Sequence, residues 1–143
     1  MGILDRLRSA FGRSPLIGRR YEYPAPGLAG PAAMFAQAIA DLWADGSEDI
    51  WLTIETIPDA GEDVRVVQVA GRHLNTLVDE IDIQTVLTSA GHGALAGKVR
   101  RQADALYELG TDDPEEFAAA IDAVFVRHYG LRPGYPVRAV VDC

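Results

Sequence analysis

The stretch that decides the fold is "IWLTIETIPDAGEDVRVVQVAGRHLN", residues 50–75. Its first eight residues alternate and are rich in β-branched side chains, the mark of a half-buried strand. Ile50, Leu52 and Ile54 point one way; Trp51, Thr53, Glu55 and Ile57 point the other. "PDAGED" is a turn cluster, and "VRVVQVA", 64–70, reads as a second strand. Together they predict an antiparallel hairpin. The outward face of this hairpin is not wholly polar. Trp51, Thr53, Ile57 and, on the second strand, Val67 form a candidate partner surface, since an exposed apolar strand face can mark an interaction site. The same face could equally be covered by the chain's own N-terminal arm.

Helices flank the hairpin. Pro31 sits where a first helical turn favours proline. Met34, Phe35, Ala38, Ile39, Leu42 and Trp43 then form one apolar stripe that Gly46 ends. Near the other end, "TDDPEEF" is the clearest start signal in the chain: Asp113 caps, Pro114 takes the first turn, and Glu116 stands three residues after Asp113. Phe117, Ile121, Val124, Phe125 and His128 follow as the buried face, with His128 at its edge. Gly130 and Pro133 stop the helix. The expected class is α+β, with an antiparallel sheet packed against an N-terminal and a C-terminal helix.

Between these landmarks the pattern is weaker. "GRHLNTLV", 71–78, starts like a loop but has helical apolar spacing. Asp82 reads as an N-cap for a short helix with Ile83, Val86, Leu87 and Ala90 buried, and Gly91 as its left-handed stop. "KVRRQADALYEL", 98–109, fits a helix through Val99, Ala103 and Leu106, although a strand is the open alternative. "YPVRAVV", 135–141, is a last strand or a packed tail. Upstream, "SPLIGRRYEYPAPGLAGP", 14–31, is rich in proline and glycine and reads as a linker or an irregular wrap. The domain division is therefore an arm and linker over 1–30 and one α+β domain over 31–143.

The chain has 143 residues and a net charge of −8, enough length for one self-sufficient core. Its charge is uneven: residues 1–20 hold five arginines against one acid, Asp5. An acidic body repels phosphate backbones and argues against nucleic acid as a partner, while a basic polypeptide segment would be steered towards it. The arm "MGILDRLRSAFGRS" has Ile3, Leu4, Leu7 and Phe11 at helical spacing beside Arg6, Arg8 and Arg13. That is a short basic amphipathic helix, which could touch an anionic membrane surface weakly or pack on its own domain. Leu4, Arg6, Leu7, Arg8 and Phe11 are its candidate contacts. No apolar run is long enough to span a bilayer, and no secretory leader is recognisable. The one cysteine, Cys143, excludes an internal disulfide and fits a cytoplasmic location.

Catalytic motifs fail on context. "GHGALAGK", 91–98, lacks the first glycine of a phosphate loop, where His92 stands, and its hydroxyl, where Val99 stands. A dinucleotide fingerprint needs a strand in front of it, and a helix is expected there. His73, His92 and His128 lie in separate elements without local ligand pairs, so no metal site is expected. The acids come as adjacent pairs, whose side chains diverge. Ser9, Ser14, Ser47 and Ser89 have no nucleophile elbow. No cofactor and no enzymatic activity are expected. A hidden enzyme would need a pocket joining distant groups, such as His73 with Asp104 or Glu108.

Three segments carry a family resemblance: "VVQVAGRHLN" (66–75), "LTSAGH" (87–92) and "DPEEFAAAIDAVF" (113–125). With the order of elements over 31–133, they resemble the type III secretion chaperone-like superfamily, including YbjN-type proteins and the actinobacterial TY-Chap domains. Gly91 is followed here by His92, where that family carries tryptophan, and the family has strand over 98–109. The resemblance implies a non-enzymatic domain that binds an extended partner segment along its sheet or helices, in many cases as a homodimer.

Overall fold

The computed structural model of the chain describes residues 14–77 and 79–143. Its elements are β1 (Arg20–Tyr23), α1 (Pro31–Asp45), β2 (Trp51–Thr56), β3 (Val66–Ala70), β4 (His73–Asn75), α2 (Ile83–Ser89), α3 (Gly93–Ala96), β5 (Val99–Ala103), β6 (Leu106–Leu109), α4 (Pro114–Ala123) with a π-helical turn (Val124–His128), and β7 (Val137–Asp142). The class is α+β. The sheet has seven strands in the order β1-β7-β2-β3-β4-β6-β5, and every neighbouring pair is antiparallel.

The hairpin forms as the alternation predicts, with Leu52 opposite Val69 and Ile54 opposite Val67. Directly opposed residues share a face of the sheet. Ile54 and Val67 are both fully buried, so Val67 belongs to the core. Its expected place on the partner surface is corrected: on β3 it is Val66 and Gln68 that turn outward.

Three further expectations are corrected. Residues 98–109 are not a helix but the β5–β6 hairpin, turned at Asp104 and Ala105, where Ala105 has φ 60°. Val99, Tyr107 and Leu109 are the buried side chains of its strands, and pairing with β6 satisfies the backbone of β4, which would otherwise be an edge. The stretch 14–31 is not only a linker. It contributes β1, paired with β7 from Arg20 opposite Val140 to Tyr23 opposite Val137, so the sheet begins before residue 31. His128 is exposed. The π-helical turn lets Tyr129 N–H donate to Val124 O, five residues back, and this extra residue rotates His128 outward while Tyr129 comes to lie 5.9 Å from the Phe125 ring.

The helices form for the local reasons read in the sequence. α1 has Pro31 in its first turn and ends at Gly46 in the left-handed region, φ 71°. α4 is capped by the Asp113 side chain, which accepts from Glu115 N–H at 2.9 Å. α2 is capped by Asp82, whose carboxylate accepts from the Thr85 hydroxyl and backbone N–H. These two bonds, the hydroxyl's first, hold the Asp82 carboxyl below the usual carboxylate range. At the other end Gly91 N–H reaches Thr88 O and His92 N–H reaches Leu87 O, the paired closure of a helix that stops on glycine.

One core lies between the helices and one face of the sheet. Met34, Phe35, Ile39, Phe117, Ile121 and Phe125 from the helices meet Leu52, Ile54, Val67, Val69, Leu74 and Val137 from the strands. Tyrosines pin the periphery. Tyr21 donates to Asp41 at 2.7 Å, Tyr129 to Asp79 at 2.7 Å, and Tyr135 to Asp122 at 2.8 Å. The buried Tyr107 hydroxyl both donates to Ile81 O and accepts from Ile81 N–H, each at 3.0 Å. Burial, and then the hydrogen bond to Asp41, pushes the Tyr21 phenol up to about 12. Burial raises Tyr129 and Tyr135 further, with Asp79 and Asp122 adding to it.

Candidate partner surface on the open sheet face

The helices cover one face of the sheet. On the other face, the groove over β1, β7 and β2 is lined by strand residues alone. Strand alternation and register determine what this face presents. Arg20 and Glu22 come from β1, Arg138, Val140 and Asp142 from β7, Trp51, Thr53 and Glu55 from β2, and Val66 and Gln68 from β3. Trp51, Thr53, Val66 and Val140 are half-buried by their neighbours. A shallow groove of about 560 Å³ runs over β1, β7 and β2, lined by Arg20, Glu22, Thr53, Glu55, Arg138 and Val140.

The polar side chains on this face are linked. Thr53 Oγ1 donates to Asp142 Oδ2 at 2.7 Å, and Gln68 Nε2 reaches Thr53 Oγ1 at 3.4 Å. Arg138 Nε donates to Glu55 Oε1 at 2.5 Å. Farther along the face, His73 Nε2 stands 3.9 Å from Glu108 Oε2, and Gln102 donates to that same oxygen at 2.9 Å. Arg138 and Glu55 are directly opposed across adjacent strands, the arrangement in which opposite charges support a sheet; His73 and Glu108 are directly opposed as well.

Of the residues expected at a partner surface, Trp51 and Thr53 lie together on this face. Ile57 follows β2 and is 40 % exposed, with its N–H bonded to Pro136 O. Val67 lies on the opposite, buried face. The arm contacts Leu4, Arg6, Leu7, Arg8 and Phe11 fall outside the described residues. Sequence reasoning missed Val140, Arg138, Glu22 and Val66. The alternation of "VRAVVD" carried a signal for Arg138 and Val140, but nothing local places β7 between β1 and β2.

The pair His73 and Glu108, named as a test of hidden catalysis, is brought together. It lies on the open face, with both side chains about two-fifths exposed, and it stands outside the groove. The stretch 91–98 has the helix α2 before it and holds the single-turn α3, with Lys98 exposed. Among the described residues no group of three or more His, Cys, Asp or Glu side chains could hold a metal ion. Among them, too, no helix is long and apolar enough to cross a membrane. Comparison with protein-family models, with curated proteins and with solved structures finds no match to this chain.

Proposed function

We propose that this chain is a non-enzymatic, chaperone-like binding protein of the cytoplasm, which receives an extended segment of a partner polypeptide on the open face of its sheet. The observation that carries this reading is the groove over β1, β7 and β2, where Val140 and Thr53 form an uncharged floor between the charges of Arg20, Glu22, Glu55 and Arg138. Such a floor accepts small apolar side chains of an extended segment, and the flanking charges of both signs set its direction and register. The sequence resemblance to type III secretion chaperone-like domains supports the same reading. So does the β5–β6 hairpin, which stands where that family has strand.

The test is affinity capture with the full chain, beside Val140→Arg and Thr53→Arg variants that fold as the parent does. A partner segment held on this face is captured by the parent and lost with both variants. Retention of the same partner by both variants would place binding elsewhere and overturn the reading.

A further inference from the structure

We propose that Trp51 and Asp142 form a seat for one arginine side chain of the partner segment, whose guanidinium stacks on the indole and donates to the carboxylate. This rests on the open-face reading above and goes further: it makes the segment a basic one and names the two residues that select it.

Register brings the pair together. Trp51 and Asp142 are directly opposed across β2 and β7, which puts both side chains on the open face with Cβ atoms about 5 Å apart. Both are half-buried. Thr53, which lines the groove, donates to Asp142 Oδ2 at 2.7 Å and holds that carboxylate in place. The pair therefore stands at the end of the groove. On its other side, the register that sets Leu52 opposite Val69 continues to bring Trp51 beside Ala70, a small exposed residue that leaves the indole open to approach.

Neither group has a cation of its own. Among the described residues Asp142 makes no ion pair, and the Trp51 ring has no aromatic or cationic neighbour. Of the arginines on the neighbouring strands, Arg138 is paired with Glu55, and Arg20 stands opposite Val140.

The chain itself shows how such a pair is filled. Trp43 and Asp112 share Arg72, which lies 3.9 Å from the centre of the indole and donates to the carboxylate at 2.9 Å. Trp51 and Asp142 repeat the two receiving groups without the arginine. A guanidinium suits both at once, because it is planar and weakly hydrated: its face stacks on a ring while its edge donates to a carboxylate. The net charge of −8 draws a basic segment towards the site.

Proton NMR of the full chain tests this. The chain has two tryptophans, so two indole N–H resonances report, and Trp51→Phe identifies the one that belongs to Trp51. The probe is a short extended peptide of serine, threonine and valine with one central arginine. The control peptide carries citrulline there, nearly the same shape without the charge. The arginine peptide should shift the Trp51 resonance and leave that of Trp43, whose N–H is held by Gly71 O, in place. The citrulline peptide should bind at least about tenfold more weakly. Asp142→Asn keeps an acceptor for Thr53 and should bring the arginine peptide down to the citrulline level. An unmoved Trp51 resonance at millimolar arginine peptide would overturn the proposal, as would arginine binding that Asp142→Asn leaves unchanged. Equal binding of the two peptides, abolished by Val140→Arg, would remove the arginine seat and leave the open face as the binding surface. A Trp51 shift that Val140→Arg leaves intact would instead keep the seat and count against the groove.

Discussion

The guanidinium of Arg72 lies 3.9 Å from the centre of the Trp43 ring and stacks over it. The contact ties the β3–β4 turn to the last turn of α1. Trp43 Nε1 donates to Gly71 O at 2.8 Å, Arg72 donates to Asp112 at 2.9 Å, and the Trp43 ring meets Phe117 edge-on at 5.7 Å. One cluster thereby joins the sheet to the start of α4.

Arg72→Ala and Trp43→Phe should each destabilise the fold by about 1 kcal/mol, through a lost cation–π contact and a lost hydrogen bond. A double-mutant cycle should return a coupling of about 0.5–1 kcal/mol. Urea denaturation measures all three values. Additivity of the two single variants would show that the Arg72 guanidinium gains nothing from the Trp43 ring beyond what a phenylalanine ring supplies.

The buried and open faces should respond differently. Val67→Ala removes two methyl groups from a fully buried site and should cost about 2–3 kcal/mol, transfer and cavity terms together. Thr53→Ala on the open face should cost about 1 kcal/mol, for the bond to Asp142. Chemical denaturation of the two variants side by side checks the register that pairs Ile54 with Val67.

Asp113→Ala should cost about 1 kcal/mol by freeing the Glu115 N–H that starts α4, and Asp113→Asn should recover most of it. Recovery by asparagine separates the hydrogen bond from simple loss of charge.

Leu77 has φ 62° and is 40 % exposed, so its side chain gains little from burial while its backbone stands in the left-handed region. Leu77→Gly should therefore raise stability by about 0.5–1 kcal/mol. An increase in the urea midpoint at unchanged slope confirms it.

Alkaline pH should unfold the protein through its tyrosines. A phenol whose folded pKa is raised gives stability that is fully present below its unfolded value near 10. That stability is lost as pH rises through the folded value, about 12 for Tyr21. Stability should be flat from pH 7 to about 9 and fall steeply above about 10. Tyr21→Phe and Tyr135→Phe should each flatten that fall, which a series of urea titrations across this range would show.

Much of this architecture was legible in the chain. Helix α1 announced itself through Pro31, an apolar stripe at helical period and Gly46. Helix α4 did so through Asp113 and Pro114, and the β2–β3 hairpin through strict alternation about a turn cluster. These signals are local, since caps, turns and side-chain period act over a few residues. The β5–β6 hairpin was ambiguous because Val99, Ala103 and Leu106 fit a helical period as well as any strand. What resolved it was β4, whose backbone groups needed a second neighbour. β1 was hidden among prolines and glycines and exists only because β7 offers it an edge.

The candidate surface divides in the same way. The sequence determined that Trp51 and Thr53 share one side of a strand, because alternate residues of an extended chain must. Only the tertiary structure decided that Val140, Arg138 and Glu22 stand beside them, and that Val67 does not. Those neighbours come from β7 and β1, far away in sequence. Strand register and layer packing are set by long-range backbone pairing and by which face the helices bury, and no local pattern contains either.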